Sequence, residues 1–439
     1  MKKQPTVILI FSFLSLIIIG TCLLKLPFAV ESTQSIGWLD AIFTATSAVC
    51  VTGLVVVDTA DTFSLFGEII IITLIQLGGL GSMTVASFIF LLFGRSISFK
   101  EKLILREAFN LDSMNEISRL IKRIVIYAIT IESIGALLLT SRFIQDMPFS
   151  KAIYYGIFHS VSNFNNAGFD LFGQFRSLTS YVNDPVVSLT IMSLIILGGL
   201  GFLVLDDLVL YKLRRTLSLH SKIVLSMTGF LITIGTLAIL FFEWSNTETI
   251  GTFSLPEKIL AALFHSVTPR TAGANTLLMD ELTIPTLAIT IVLMFIGAGS
   301  GSTASGVKVS TVAILAATVW SQLKGEPETI LFKRAISTEL ILKSFTLVSC
   351  SALWVFCVTI VLSITTDGYP FIVYLFEATS AFGTVGLSLG LTPHLTDVSQ
   401  WMIIATMFIG RIGTLTILFV LLQKKKNSYR HPSGTIYIG

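Results

Sequence analysis

The stretch Phe376-Glu-Ala-Thr-Ser-Ala-Phe-Gly-Thr-Val-Gly386-Leu387 is one of four related segments in this 439-residue chain. Each segment begins with an aromatic residue, continues as a short helix-like run, and ends on small or β-branched residues followed by glycine. The other three are Phe43-Thr-Ala-Thr-Ser-Ala-Val-Cys-Val-Thr-Gly53-Leu54, Phe158-His-Ser-Val-Ser-Asn-Phe-Asn-Asn-Ala-Gly168-Phe169 and Phe264-His-Ser-Val-Thr-Pro-Arg-Thr-Ala-Gly273-Ala274. Four copies in one chain can close a ring around one axis, and a ring of backbone carbonyl oxygens can replace the water shell of a cation. The pattern therefore predicts an ion pathway.

The composition predicts that this pathway lies in a membrane. The chain is 53% hydrophobic and 13% charged, whereas soluble proteins carry about 25% charged residues. A helix that spans a bilayer needs about 20 apolar residues, and we predict eight such spans, the sixth interrupted by a Gly/Ser-rich break. The apolar runs are Thr6–Leu24, Ile69–Phe93, Ile124–Leu139, Val186–Leu205, Lys222–Phe242, Thr286–Gly297 with Val307–Trp320, Leu340–Ile364 and Met402–Leu422. The first run follows two lysines, but no small-residue cleavage site follows it, so we favour a retained helix over a signal peptide.

The distribution of basic residues predicts the orientation. With eight spans and a cytoplasmic N-terminus, 22 of the 29 lysines and arginines lie on the cytoplasmic side, as the positive-inside rule requires. We therefore expect a multi-pass protein of the bacterial plasma membrane with both termini in the cytoplasm. The outer loops are instead rich in acids, which either concentrate cations at the mouth of the pathway or serve as ordinary solvated loop residues.

The repeat extends beyond the four short segments. Each unit is predicted to contain an apolar span, a short helix with its glycine-ending loop, and a second apolar span carrying a Gly-rich marker such as Leu77-Gly-Gly-Leu-Gly81. We therefore predict an all-α polytopic membrane protein with four such repeats and pseudo-fourfold symmetry. The predicted units are 1–94 (repeat 1), 95–210 (cytoplasmic connector and repeat 2), 211–320 (repeat 3 with a loop at 297–308), 321–423 (connector and repeat 4) and 424–439 (cytoplasmic tail).

The short helices cannot cross the bilayer. Ile36–Ser47 would measure only about 18 Å as a helix, so the chain must dip into the membrane and return. Irregular backbone at membrane depth is tolerated only where it lines water or is buried in protein. The geometry therefore favours a re-entrant pore loop over a plain extracellular loop. The connectors at Arg95–Arg123 and Ser321–Lys343 are predicted to be helical.

The last three residues of each loop are the candidate ion-selective filter. Glycine is needed there because the chain must adopt conformations that a side chain forbids. The fourth loop contains Thr-Val-Gly, which is the core of the potassium-channel filter, and a glycine at all four positions suits a dehydrated K⁺. The candidate filter residues, whose backbone carbonyls would hold K⁺, are Val51, Thr52, Gly53, Asn166, Ala167, Gly168, Thr271, Ala272, Gly273, Thr384, Val385 and Gly386.

With four such units, the Thr268-Pro-Arg-Thr-Ala-Gly273 run and the Gly-rich break, the chain resembles the Trk/Ktr/HKT superfamily of cation transporters. Its length is closest to that of the membrane subunits of Ktr potassium uptake systems. The resemblance implies potassium uptake through a channel-like pore, with Na⁺ often acting as an activator. It also implies a homodimer in the lipid bilayer and a cytosolic ring of RCK-type nucleotide-binding regulatory subunits. We expect no organic cofactor and no nucleic-acid partner.

The Gly/Ser-rich break in the sixth span is the candidate gate. Glycine and serine that unwind a span at mid-depth suit a flexible plug below the filter, and the resemblance implies that this loop is an intramembrane gate. A phosphate-binding loop is disfavoured, because no Gly-Lys-Ser/Thr follows the glycines. The candidate gate residues are Gly297, Gly299, Gly301, Ser302, Thr303, Gly306 and Lys308, together with Arg411.

Arg411 is the charged residue in the middle of the last span. A charge at this depth costs at least about 2.5 kcal/mol on insertion scales and marks a functional site by default. We expect its side chain to donate hydrogen bonds to carbonyls of the Gly297–Gly306 loop, repel cations and hold the gate shut. The alternative is a structural tether with no role in gating.

Four other polar residues lie in or near the apolar segments. Glu132 is predicted either to pair with a serine or threonine of a neighbouring helix or to take part in cation coupling. His159 and His265 occupy equivalent places and are interpreted as packing or hydrogen-bonding residues, because no acid or cysteine completes a metal site. Arg270 is expected to brace its loop and to point away from the cation path.

Two other functions were compared with potassium uptake. An intramembrane aspartyl protease would need two membrane-embedded acids, but Gly199-Leu-Gly201 is followed by phenylalanine, and Asp206-Asp207 fall at the edge of the span. We therefore expect that the chain is not an enzyme. A pathway of the same fold for Na⁺ or for monovalent cations in general is the second alternative.

Overall fold

The computed structural model describes residues 5–31, 35–81, 84, 85, 87, 88, 102 and 117–413. Most of the Arg95–Arg123 connector, the end of the last predicted span and the 424–439 tail lie outside this part of the chain. The helices within it are α1 (Pro5–Leu24), α2 (Trp38–Cys50), α3 (Thr59–Thr62), α4 (Leu65–Leu80), α5 (Ile117–Phe143), α6 (Phe149–Phe164), α7 (Pro185–Leu200), α8 (Phe202–Arg214), α9 (Leu219–Glu243), α10 (Leu255–Val267), α11 (Ile284–Phe295), α12 (Val309–Leu323), α13 (Thr338–Thr365), α14 (Phe371–Gly383) and α15 (Asp397–Ile412).

Four long helices surround the fold, namely α1, α5, α9 and α13. They contain 20, 27, 25 and 28 residues, and at about 1.5 Å per residue each is long enough to cross a bilayer. Large apolar side chains on these helices are exposed, including Leu137 at 71% and Phe241 at 77%. Apolar surface of this extent indicates contact with lipid. These helices therefore form the lipid-facing part of the molecule.

Four shorter helices, α2, α6, α10 and α14, lie inside this frame. They contain 13 to 16 residues and measure about 20 to 24 Å, which is less than the roughly 30 Å of the hydrocarbon core. Their aromatic first residues in the four related segments, Phe43, Phe158, Phe264 and Phe376, are at most 1% exposed. The short helices predicted from the sequence are present, and their C-terminal parts, from these aromatic residues onward, are largely buried.

Three of the predicted second spans end at a glycine. Helices α4, α7 and α15 stop before Gly81, Gly201 and Gly413, whose φ angles are +83°, +97° and +95°. The prediction of one continuous span at Val186–Leu205 is wrong, because α7 and α8 meet at an angle of 98° across Gly201. The helical path ends there because a left-handed glycine cannot continue a right-handed helix.

The break predicted in the sixth span is present. Helix α11 ends at Phe295 and α12 begins at Val309, and a parallel bridge joins Ile296 to Val307 across the base of the loop. The connector at Ser321–Lys343 was predicted to be helical, but it contains a two-stranded antiparallel hairpin of Ile330–Leu331 and Arg334–Ala335. Gly325 has a φ of +69°, and this turn ends the helical run two residues after α12.

Close glycine contacts place the second spans against the ends of the short helices. A β-carbon on Gly78, Gly198 or Gly410 would lie only 1.9 to 2.0 Å from a backbone carbonyl oxygen of the adjacent short helix. Those oxygens belong to Val49, Phe164 and Phe382 respectively. Only glycine allows two backbones to approach this closely. The Gly-rich markers thus position α4, α7 and α15 directly beside the glycine-ending loops.

Candidate functional site

The four loop glycines form a closed ring. A β-carbon on Gly53 would approach Gly168, one on Gly168 would approach Gly273, one on Gly273 would approach Gly386, and one on Gly386 would approach Gly53. Each would also lie 2.2 to 2.4 Å from the carbonyl oxygen that precedes the next glycine. Those oxygens belong to Ala167, Ala272, Val385 and Thr52 in turn. No side chain fits at any of the four positions, and the ring closes between the first and last segments.

The segments that form the ring share one unusual backbone conformation. Two residues before each glycine is a residue other than glycine with positive φ, at 59°, 62°, 78° and 49°. These residues are Val51, Asn166, Thr271 and Thr384. Left-handed backbone at β-branched residues is rare and costs about 1–3 kcal/mol, and it persists only where the surroundings enforce it. Such strain is concentrated at functional sites.

Backbone amides of the ring segments are bound by the short helices. The amides of Thr52, Ala167 and Val385 each donate to a carbonyl oxygen five residues earlier, at 2.8 Å. The amides of Gly53 and Gly386 donate to the hydroxyls of Ser47 and Ser380 at 3.1 and 3.2 Å. Because the helices bind these donors, the carbonyl oxygens are the polar backbone groups left to face the centre of the ring.

The short helices also supply an electrostatic contribution. Helices α2, α6, α10 and α14 end at Cys50, Phe164, Val267 and Gly383, each within a few residues of its glycine. A helix carries about half a negative charge at its C-terminus. Four C-termini directed at one centre therefore make it favourable for a cation. The buried hydroxyls of Thr52 and Thr384 have no hydrogen-bond partner within the described part of the chain.

A cavity of about 460 Å³, here called the mouth cavity, lies on the side of the ring formed by the residues that follow each glycine. Among the acids predicted for the outer loops, Asp170 and Asp280 line it. Burial, together with the nearby Asp58 carboxylate, raises the pKa of Asp170 to about 7. Two other loop acids have structural bonds, since Asp58 and Asp61 accept hydrogen bonds from the amides of Phe175 and Gln174. Asp58 and Asp61 therefore behave as ordinary loop residues, and the concentration of cations by the other outer acids stays a prediction.

The Gly297–Lys308 loop lies on the opposite side of the ring, against the residues that precede the glycines. The Thr303 hydroxyl donates to the Phe164 carbonyl at 3.3 Å, and a β-carbon on Gly306 would lie 3.4 Å from the Gly383 Cα. The amide of Gly299 donates to the Gly199 carbonyl at 2.8 Å. The loop therefore contacts the ends of two short helices and the marker of α7.

The bend after α7 is in close backbone contact with this loop. The amide of Phe202 donates to the Gly301 carbonyl at 3.0 Å, and a β-carbon on Gly201 would lie 2.6 Å from the Ser300 oxygen. The ammonium group of Lys308 donates to the Ala304 carbonyl at 2.7 Å, and within the loop the Ser302 hydroxyl binds the Gly299 carbonyl at 2.7 Å. The sequence revealed the break in the sixth span but not its partner at Gly201.

Arg411 connects this loop to α4. Its Nη1 atom donates to the carbonyl oxygen of Thr303 and lies 3.2 Å from the Ser305 hydroxyl. Its Nη2 atom donates to the carbonyl oxygens of Gly78 and Gly79. The predicted contact with loop carbonyls is present, and the second pair of acceptors, on a different helix, was not predicted. Charge-assisted hydrogen bonds of this kind are about twice as strong as neutral ones.

Glu132 has different partners from those predicted. Its carboxylate accepts hydrogen bonds from Gln76 Nε2 and Asn165 Nδ2, both at 3.1 Å. The predicted serine contact exists only at its backbone, where the Ser160 hydroxyl donates to the Glu132 carbonyl at 2.7 Å. The prediction of a serine or threonine partner for the side chain is therefore wrong. Each carboxylate oxygen of Glu132 has a side-chain amide as its partner, in place of the predicted hydroxyl.

In the second and third short helices, the residue after the aromatic is a histidine that contacts a loop or a neighbouring helix. His159 Nδ1 lies 2.7 Å from the Tyr155 carbonyl and its Nε2 accepts from the Leu171 amide at 3.3 Å, while His265 contacts Thr290 at 3.2 Å. No cluster of three metal-binding side chains occurs within the described ranges. Both histidines therefore act as hydrogen-bonding residues, as predicted.

Glu377 is a residue that sequence reasoning missed. It occupies the place of His159 in the fourth segment, is fully buried, and accepts hydrogen bonds from Ser388 and Thr392 in the loop after Gly386. An acid inside an otherwise apolar segment was the available signal.

Arg270 follows its prediction. Its Nη2 atom donates to the Thr228 hydroxyl of α9 at 3.2 Å, on the outer side of its loop.

Short helices gathered around one glycine ring inside an apolar helical frame define a multi-pass helical membrane protein. The family described as TrkH, cation transport protein, matches residues 2–430, and this chain belongs to that family. The chain is similar in fold to the potassium transporter TrkH of Vibrio parahaemolyticus, with a TM-score of 0.76 and 19% identity, covering 96% of this chain and 85% of the other.

Its relatives are similar over their whole length. The chain is 42% identical to the Ktr system potassium uptake protein B of Bacillus subtilis, covering 100% of this chain and 97% of the relative. It is 39% identical to the protein of the same name from Vibrio alginolyticus, covering 99% and 95%. It is also 39% identical to the potassium/sodium uptake protein NtpJ of Enterococcus hirae, covering 100% and 98%. The family consists of cation transporters, so the protease alternative is rejected and the chain is not an enzyme.

Proposed function

We propose that this chain is the membrane subunit of a potassium uptake system and that K⁺ crosses the membrane through the glycine ring. The observation that carries the proposal is the ring itself, in which four glycines touch in a closed cycle beside four carbonyl oxygens. A cation that loses its water in such a ring exchanges hydration for carbonyl dipoles. The four helix C-termini add a negative potential at the same centre.

The absence of side chains from the ring favours K⁺ as the main substrate. Glycine at all four positions leaves the wide passage that a dehydrated K⁺ requires, and the Ktr relatives are named for potassium uptake. The three residues that end each loop would act as the filter, over Val51–Gly53, Asn166–Gly168, Thr271–Gly273 and Thr384–Gly386.

The Gly297–Lys308 loop, held by Arg411, is proposed as the gate. It lies directly against the residues that lead into the ring, and four acceptors hold the guanidinium across two elements. A fixed positive charge at this place opposes a cation that leaves the ring. Opening would require the guanidinium to release the loop, α4 or both.

The remaining parts of the proposal concern assembly. The chain would form a homodimer in the bacterial plasma membrane, with both termini in the cytoplasm and four repeat units as divided above. A cytosolic ring of RCK-type nucleotide-binding subunits would act on the gate through the segments near Lys308–Trp320 and Arg95–Arg123, and Na⁺ would act as an activator. Cross-linking the Lys308–Trp320 segment to the regulator should alter flux, and unchanged flux would remove this route.

A pathway that also carries Na⁺ is the second candidate. The observation that favours it is the relative NtpJ, whose name includes both potassium and sodium uptake. Both candidates use the same ring, so only ion selectivity separates them. A ring that selects K⁺ passes Rb⁺ in preference to Na⁺, whereas a general pathway passes the three ions at similar rates.

The deciding experiment measures Rb⁺, K⁺ and Na⁺ uptake by vesicles that contain the purified protein. Potassium uptake predicts K⁺ and Rb⁺ flux well above Na⁺ flux, together with growth of a potassium-uptake-deficient cell at low K⁺. Equal fluxes would establish the second candidate. An absence of cation flux from vesicles containing folded protein and its regulator would overturn both.

A further inference from the structure

Three polar side chains that the proposed filter and gate do not use form one buried cluster beside the second ring segment. They come from three elements: Gln76 from α4, Glu132 from α5 and Asn165 from the C-terminal end of α6. Asn165 Nδ2 lies 2.6 Å from Gln76 Oε1, 2.9 Å from the Val161 carbonyl oxygen and 3.1 Å from Glu132 Oε1, and it shares its two hydrogens among these three acceptors. Gln76 Nε2 donates to Glu132 Oε2 at 3.1 Å. The three side chains therefore form a closed triangle of hydrogen bonds.

Two of the three members of the triangle are buried, and Gln76 is half-buried. Asn165 has no exposed surface, and Glu132 is 8% exposed. No basic side chain forms an ion pair with Glu132 in the part of the chain described. A buried carboxylate without a cation partner is costly, and the hydrogen bonds that it accepts must offset that cost. Here the hydrogen bonds that Glu132 accepts hold the side chains of Gln76 and Asn165 in position.

What the triangle holds is the start of the ring segment. Asn165 immediately precedes Asn166, whose φ of 62° lies in the left-handed region. The side chain of Asn166 in turn lies 3.2 Å from the Thr271 hydroxyl of the next ring segment. One residue later, the Ala167 carbonyl oxygen is the atom beside Gly53. The position of Asn165 therefore fixes a carbonyl of the ring and one link between neighbouring segments.

The other three segments have no such triangle within the described residues. The positions that correspond to Asn165 are Cys50, Arg270 and Gly383. Neither Cys50 nor Gly383 has a side-chain amide, and the side chain of Arg270 donates to Thr228 instead. At the position that matches Glu132 on α9, Ile232 has only its backbone carbonyl bound, by Ser266 at 2.8 Å. Among the described residues, a carboxylate bound by two side-chain amides at the start of a ring segment is thus found in the second segment, whereas Glu377 of the fourth segment binds hydroxyls that follow the glycine.

We infer that Glu132 is a positioning residue for cation discrimination. With Gln76 it orients Asn165, and through Asn165 it sets where the Ala167 carbonyl stands in the ring. This inference rests on the proposed function of the ring. Glu132 touches no permeating ion. Removing it frees the Asn165 side chain and lets the second segment shift, and the ring then distinguishes Rb⁺ from Na⁺ less well.

The test compares the Rb⁺/Na⁺ flux ratio of vesicles containing wild-type protein with that of Glu132→Ala, Asn165→Ala and the double variant. We expect each single change to lower the ratio about threefold or more, and the double variant to be no worse than either single one, as for residues that act as a unit. Glu132→Gln, which keeps an acceptor for Asn165, should retain most of the ratio. Ile232→Ala, at the matched place on α9, should leave it unchanged.

The outcomes separate this inference from the proposed function. Wild-type vesicles without Rb⁺ flux would refute the proposed function. Normal wild-type selectivity with an unchanged ratio in Glu132→Ala would refute the inference alone, and would leave Glu132 as a packing residue. Additive losses in the double variant would also refute it. If Glu132→Ala does not reach the membrane, Asn165→Ala and Gln76→Leu test the same triangle from its other two members.

Discussion

The guanidinium of Arg411 donates a hydrogen bond to the carbonyl oxygen of Thr303, so the last described helix binds the middle of the Gly297–Lys308 loop. Thr303 itself touches the Phe164 carbonyl at the end of α6. Arg411 is therefore one of several attachments of the loop, beside the backbone bonds to Gly199 and Phe202. It is the attachment that a single side-chain substitution removes.

Arg411→Ala is expected to raise Rb⁺ flux in the absence of a regulator. The change removes charge-assisted bonds to the loop and α4, each worth about 1.5–3 kcal/mol, and loss of even one corresponds to tenfold or more in the closed-to-open ratio. Ser305→Ala removes one weaker contact and should have a smaller effect. Unchanged flux, at equal amounts of Arg411→Ala protein in the vesicles, would leave Arg411 as a structural tether.

Serine at Gly53, Gly168, Gly273 or Gly386 is expected to abolish the preference for Rb⁺ over Na⁺. Each glycine has positive φ, and a β-carbon would lie within 2.4 Å of a neighbouring carbonyl oxygen, so the ring must widen or break. Gly368→Ser is the matched control, because Gly368 has a φ of +97° but no atom within 4 Å. If the ring variants and Gly368→Ser behave alike, the ring does not select ions.

Uptake at low K⁺ is expected to depend on pH through Asp170. Its pKa near 7 means that the carboxyl is mostly neutral at about pH 6 and mostly ionised at about pH 8. A charge at the mouth cavity raises the local cation concentration by roughly twofold, so uptake should rise over this interval. Asp170→Asn should flatten the rise, and a rise that persists in this variant would assign it to another group.

The raised pKa of Asp170 also predicts that the folded protein loses stability as the pH rises, whereas uptake increases. The pKa of Asp170 is raised in the folded protein, and the unfolded chain releases this proton near pH 4. Folding therefore becomes less favourable as pH rises from about 4 to 7. Thermal unfolding of Asp170→Asn in detergent should show a smaller loss over this range than wild type. Parallel curves for the two proteins would contradict the assignment.

Glu377→Ala is expected to lower the thermal stability of the detergent-solubilised protein. The carboxylate binds Ser388 and Thr392 in a fully buried place, and its loss leaves hydroxyls without their acceptor at a cost of about 1–3 kcal/mol. Glu281→Ala, at an exposed acid, should change stability little. Equal unfolding temperatures for the two variants would show that Glu377 does not brace the mouth cavity.

The sequence predicted the short helices, the break in the sixth span and the Arg411 contact because each leaves a local signal. Four similar segments end in glycine, a Gly/Ser run interrupts an apolar one, and a single charge stands in a span. The bend at Gly201 was missed, because Gly199-Leu-Gly201 inside an apolar run also suits a close helix contact. Besides the positive φ of Gly201, the bend involves a contact that is distant in the sequence. The Gly301 carbonyl accepts a hydrogen bond from the Phe202 amide.

Partners that are distant in the sequence were the least predictable part of the site. Glu132 was recognised as unusual, but its binding to Gln76 and Asn165 depends on how α4, α5 and α6 pack together. The hairpin at residues 330–335 was also missed, since strands of two residues are too short to show an alternating pattern. Residue types indicated which positions matter, and tertiary packing decided what they touch.

Closure of the ring between Gly386 and Gly53 has a consequence for biosynthesis. A ribosome makes the first segment long before the last, and until the final quarter of the protein is inserted, the Thr52 carbonyl has no glycine beside it. A partly made or truncated polypeptide therefore has no complete coordination shell to offer an ion. On the proposed function, such a polypeptide cannot pass ions selectively until its first and last segments meet.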